Sequence, residues 1–140
     1  MRLDAVAQEA LRQRRRAIAR AVGAPILLWS GTPTPRNFPA NPHPFRADSD
    51  FLFLAGLPLA GAVLGLDGDR TTLYLNPPAA GATLWHGPQP HPEVWAEAIE
   101  ADAWAPLSQL PSDPGIATLP LLDPTIQATQ ARHLQRCWQP

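Results

Sequence analysis

The densest run of chemically capable residues is Phe45-Arg46-Ala47-Asp48-Ser49-Asp50-Phe51. Three charged groups and a hydroxyl lie between two phenylalanines, so they are partly desolvated and need partners. Two arrangements meet that need. One is an ion-pair network that pins the preceding loop to a sheet, the favoured reading. The other is a polar wall turned towards another domain or subunit. Asp48 and Asp50 are a poor pair for a metal, because two monodentate acids leave most of a hard cation's coordination unfilled. His43, His86, His91 and His133 are not spaced with acids as a ligand set. Asp67 and Asp69 belong to an Asp-Gly-Asp turn, where Asp is favoured for local backbone bonding. The chain contains no G-x-S-x-G, no phosphate-binding loop and no paired C-x-x-C. No catalytic centre and no metal site can therefore be assigned within it. Two further groups stand out. Arg12, Arg14, Arg15 and Arg16 could form a nucleic-acid patch, but Asp4 and Glu9 dilute the charge and a solvated helix face is the favoured reading. Trp85-His86-Gly87 sits among prolines and glycines, either folded back on its own domain or presented outward.

The elements that must position these residues alternate between helix and strand. Leu3, Val6, Ala7, Ala10, Leu11, Ile18, Ala21 and Val22 recur at helical spacing and Gly23 supplies a stop. In that pattern Arg12, Arg16 and Arg20 share the polar face. Arg14 falls in the apolar stripe, so it must reach an edge or a carboxylate. Ile26–Trp29 reads as a buried strand. Residues 31–49 hold five prolines and little periodicity, an unusually long loop. Phe51–Leu54 and Ala62–Leu66 are continuous apolar runs and read as central strands. Asp67-Gly68-Asp69 then turns a hairpin into Thr71–Leu75. Residues 92–100 have helical character, with Pro92 in the first turn. Trp104–Leu110 reads as a short strand or helical turn, and Ile116–Leu121 as a last strand. Asp123-Pro124 opens a final helix to about Cys137. The expected core comprises Ile26, Leu27, Leu28, Phe51, Phe53, Ala62, Val63, Leu64, Leu73 and Leu75, with Leu11 and Ile18 from the first helix. Helices alternating with buried strands, plus one hairpin, predict an α/β fold with a mixed sheet covered on both faces.

Composition narrows the partners. With 140 residues, 45% of them hydrophobic, and a formal charge of −1, the chain has room for one cored domain and no overall bias towards nucleic acid or anionic membrane. No apolar run approaches the roughly 18 residues of a membrane span, and residues 1–23 are too charged for a signal peptide. Cys137 is the only cysteine, which excludes an intramolecular disulfide and favours the cytoplasm. Eighteen prolines cluster between the apolar segments, as stiff loops in a folded domain would have them. Trp138, two residues from the end of the chain, is expected to contribute to an apolar contact surface.

Arg36-Asn37, the stretch from Pro44 to Gly56 and Leu84-Trp85-His86-Gly87, in that order, resemble the N-terminal domain of aminopeptidase P and its relatives in the creatinase and prolidase group. The resemblance covers residues 1–125, leaving 126–140 as a linker helix towards an absent catalytic domain. It implies a three-layer α/β/α domain with a mixed central sheet and ribonuclease H-like topology. It implies that the parent protein is a Xaa-Pro aminopeptidase, a metallopeptidase hydrolysing proline-containing peptides with two divalent ions, usually manganese, held on a second domain. This domain would then hold no cofactor and would supply homo-oligomer contacts and part of the substrate entrance. Its candidate residues for that role are Trp85, His86, Arg46, Asp48, Asp50, Asn41 and His43. Many members place an acid in the interval that here reads Phe38 to His43, which contains none, so the resemblance leaves Asn41 or His43 as the polar substitute. The alternative is a free-standing, non-enzymatic protein-binding module of the same fold.

Overall fold

The computed structural model describes residues 3–133, the side chain of Thr125 apart. The expected end of the last helix near Cys137, the rest of the 126–140 linker and Trp138 lie outside the described residues. Asp4 begins helix α1 (Ala5–Val22) by accepting the Ala7 amide at 2.7 Å, and Gly23 ends it at φ 66°. Its inward face carries Leu11 and Arg15, with Leu3 and Ile18 packed beside them. Val6 and Val22 point to solvent, so the apolar stripe is narrower than their inclusion suggests.

The chain then enters β1 (Ile26–Trp29), buried at all four positions. The long loop that follows is not wholly irregular. Pro35 bridges Pro42, the Arg36 amide donates to the Asn41 carbonyl at 2.9 Å and the His43 amide to the Thr34 carbonyl at 2.8 Å. At its far end the Asp48 amide donates to the Ser30 carbonyl at 2.9 Å, returning the loop to the end of β1.

The segment expected to be a strand at Phe51–Leu54 is instead helix α2 (Ser49–Ala55). The Asp48 carboxylate accepts the amides of Asp50 and Phe51 at 3.0 and 3.3 Å, and Gly56 closes the helix at φ 82°. Phe51, Leu54 and Ala55, spaced i, i+3, i+4, turn inward, whereas Leu52 and Phe53 are exposed. A short apolar run satisfies either period, and here the caps decide. Phe53 therefore leaves the expected core, and Leu75 only packs at its margin. Gly56 is also where α2 meets α1: a Cβ there would lie 2.8 Å from a methyl of Leu11 and 2.9 Å from one of Leu3.

Strands β2 (Val63–Asp67) and β3 (Arg70–Tyr74) form the expected hairpin across Gly68. After α3 (Ala82–His86) and α4 (Pro92–Ala98) come β4 (Ala103–Ala105), a 3-10 turn at Leu107–Gln109, β5 (Ala117–Thr118) and α5 (Pro124–His133). The sheet order is β4-β3-β2-β1-β5; β4 and β5 pair in parallel with β3 and β1, so β2 alone runs against the rest. Strand periodicity divides the core between the two faces. Ile26, Leu28, Leu64 and Leu66 join Phe51 and Leu54 of α2 and Ala96 and Ala98 of α4 on one face. Leu27, Trp29 and Val63 join Ile116, Leu121 and Ile126 of α5 on the other. This is the three-layer α/β/α arrangement with a mixed sheet that the resemblance implies. Among the described residues, no helix is long and apolar enough to cross a membrane.

Candidate functional site

The polar run from Arg46 to Asp50 is not an ion-pair network. Among the described residues the ion pairs are those of Arg12 with Glu9 and with Glu100; Arg46 makes none with Asp48 or Asp50. The reason is local: the Asp48 carboxylate is turned onto the first amides of α2, and Arg46 and Asp50 are exposed to water. Asn41 and His43 lie on the small hairpin of the long loop, where the Asn41 amide side chain donates to Asn37 Oδ1 at 3.0 Å.

Helix α3 carries the Trp85 segment. Gly81 precedes it at φ 81° and Gly87 follows at φ 72°, backbone values that favour glycine. Trp85 is 85% exposed and Leu84 86%. Ala82 and His86, on the face opposite Leu84, line a groove of about 600 Å³ whose apolar walls include Leu57, Leu59, Leu75 and Trp95. The helix thus separates the candidate pair: both are exposed, His86 at the rim of the groove and Trp85 outside it. The other histidines of the helices are structural. His91 Nδ1 accepts the Glu93 amide at the start of α4 and its ring meets Trp104 edge-on at 4.7 Å. His133 Nε2 lies 2.8 Å from the Pro111 carbonyl oxygen, with its ring near Trp29. Among the described residues no group of three or more His, Cys, Asp or Glu side chains could hold a metal ion. The two divalent ions implied by the resemblance therefore do not fit this part of the chain.

The arginine cluster divides by burial. Arg14, expected within the apolar stripe, reaches its edge: the guanidinium sits 4.3 Å above the Phe53 ring and donates to the Phe53 carbonyl at 3.2 Å. Arg15 is the buried one, only 4% exposed. Its guanidinium donates to the carbonyls of Leu54, at the end of α2, and of Ile99 and Glu100, just beyond α4. Burial lowers its pKa to about 10, opposed by the charges of Glu100 and Asp102, so it stays charged at neutral pH. Arg12 pairs with both Glu9 and Glu100. Sequence reasoning missed Arg15. At about 100° per residue, Arg14 and Arg15 flank the Leu3–Leu11–Ile18 stripe on opposite sides, and only the positions of the two helix ends select between them.

Residues 11–115, about three quarters of the chain, match the family model described as aminopeptidase P, N-terminal domain. No significant match was found among curated proteins. Among solved structures, the chain is similar to Pseudomonas aeruginosa aminopeptidase PepP, with a TM-score of 0.75 at 19% identity, over 96% of this chain and 33% of that one. It is similar to zinc-substituted Escherichia coli aminopeptidase P in complex with product, with a TM-score of 0.69 at 18% identity and the same coverages of 96% and 33%. Proline aminopeptidase P II from Yersinia pestis gives a TM-score of 0.62 at 22% identity, over 73% of this chain and 25% of that one. At these identities the likeness speaks for the fold alone, and this chain spans a third or less of each of those chains. The family match, which spans the Arg36-to-Gly87 region that carries the sequence motifs, makes the chain a member of the aminopeptidase P N-terminal domain family.

Proposed function

We propose that this chain is the non-catalytic N-terminal domain of a metal-dependent Xaa-Pro aminopeptidase. It contributes subunit contacts and part of the substrate entrance in a cytoplasmic homo-oligomer, and the peptide chemistry belongs to a C-terminal domain outside these 140 residues. The observation that carries this reading is the extent of the match: residues 11–115 correspond to the N-terminal domain of the family. The ligand set for two divalent ions, manganese by resemblance, would lie on the other domain.

Trp85 supports the entrance role. A large, flat, apolar side chain held outward between two glycines is poised to meet a second surface, with little rotameric freedom to lose. Against a peptide it would contact residues beyond the scissile bond and leave the metals untouched.

The purified chain is expected to release no N-terminal residue from an X-Pro peptide with manganese, cobalt or zinc supplied. Release that persists through further purification and is abolished by a chelator would overturn the assignment. In the full-length enzyme, Trp85→Ala is expected to weaken the handling of a pentapeptide more than that of a dipeptide, through KM more than kcat. Equal effects on both substrates would remove Trp85 from the entrance.

A further inference from the structure

We propose that Trp138 anchors the segment after α5 to its own domain, with the indole seated in the apolar groove that α5 shares with Trp29, Leu107 and Leu110. The groove is then a receptor for residues 134–140 of this chain.

The two faces of the sheet are filled unequally. Among the described residues, fifteen buried apolar residues form the core on the side of α2 and α4, and six form the core on the side of α5. The smaller core leaves a groove of about 500 Å³ walled by Trp29, Val63, Leu107, Leu110 and Ile126. Leu107 and Leu110 are only half-buried there. Apolar walls on this scale lose both packing partners and the gain of leaving water, and an apolar side chain that enters the groove restores both.

Helix α5 delivers the chain to the rim of that groove. His133, the last residue of the helix, is itself part of the lining. Its Nε2 lies 2.8 Å from the Pro111 carbonyl oxygen, its ring centroid 6.2 Å from that of Trp29, and its carbonyl accepts the Ser112 hydroxyl. These contacts fix the point from which residues 134–140 depart. Five residues further on stands Trp138, the largest apolar side chain of that segment. Five residues span about 7 Å as a helix and about 17 Å fully extended, so in either form the indole reaches a groove that begins at His133. Thr32, also in the lining, supplies a hydroxyl that can accept the indole N–H, the one polar group that seating Trp138 takes out of water. In a longer protein, any hinge towards a following domain would then lie beyond Trp138 rather than directly after His133.

The test is nuclear Overhauser spectroscopy on the 140-residue chain carrying 13C-labelled Val, Leu and Ile methyl groups, with Trp138→Phe assigning the indole signals by their loss. The proposal predicts contacts from the Trp138 ring to methyl groups of Val63, Leu110 and Ile126. It also predicts ring-current shifts at those methyls that Trp138→Ser abolishes. A Trp138 ring with no contact to these three residues overturns it, whether the ring is in water or on another surface. So do contacts that arise only between labelled and unlabelled chains in an isotope-filtered mixture, since the occupant is then a second copy. The contacts are read on the unmodified chain, so the outcome does not depend on the folding of Trp138→Ser.

Discussion

The Arg15 guanidinium donates to the Leu54 carbonyl at 2.7 Å, joining the middle of α1 to the end of α2 through a buried, charged hydrogen bond. The same group reaches the Ile99 carbonyl at 2.8 Å and that of Glu100 at 3.3 Å, so one side chain holds three helices on one face of the sheet. Carbonyls at helix C-termini carry partial negative charge and have no intrahelical donor, which suits a cation.

Arg15→Met is expected to destabilise the chain by about 3 kcal/mol, because it leaves buried carbonyls without donors. Arg15→Lys should recover only part of this, since one ammonium cannot span both helix ends as a planar fork does. Urea unfolding midpoints check both. The linkage has a definite sign. Burial lowers the folded pKa to about 10, so the unfolded chain holds this proton more tightly and the Arg15 contribution rises with pH only above about 10. Below that, Arg15 adds no slope to stability against pH.

Asp48→Ala is expected to cost about 1 kcal/mol by removing the cap of α2, while Asp48→Asn should be nearly neutral. The pair distinguishes a cap from a salt bridge, because Asn retains the acceptor without the charge. Thermal melts of the two variants suffice.

Leu64→Ala should cost about 2–5 kcal/mol, since Leu64 is fully buried in the β2 centre of the larger core. Phe53→Ala should cost no more than about 1 kcal/mol, chiefly the loss of its contact with the Arg14 guanidinium. Similar losses at the two sites would contradict the helical assignment of α2.

Tyr74 is the only tyrosine, so its ionisation can be followed directly by ultraviolet absorbance. Burial raises its pKa above the ordinary value near 10, against a smaller lowering by Arg70. The native phenol should titrate above its value in denaturant. Because the folded pKa is the higher one, this contribution is complete below pH 10 and is lost as pH rises through the folded value. Tyr74→Phe should remove that alkaline loss.

Elements with strong punctuation were legible from the residues alone: the Gly23 stop of α1, the Asp67–Asp69 hairpin and the Asp123-Pro124 start of α5. The run at Phe51–Leu54 was not. Its apolar residues suit either period, and the deciding contact is a carboxylate on a helix amide. At the candidate site, the motif Leu84–Gly87 was visible, but the division of Trp85 from His86 across α3 depends on where the groove lies. Arg15 was missed because its three acceptors belong to segments about 40 and 85 residues away, beyond the reach of local pattern.

The pairing of β1 with β5 has a consequence for synthesis. The Thr118 hydroxyl donates to the Leu27 carbonyl across 91 residues, and Ile26 is registered against Ala117. On the ribosome, β1 and β2 emerge early, yet one edge of β1 stays unpaired until β5 follows them out of the exit tunnel. Contacts so distant in sequence form late and slowly. A nascent chain halted before Ala117 would expose a hydrophobic strand edge, the kind of surface that recruits chaperones or other nascent chains.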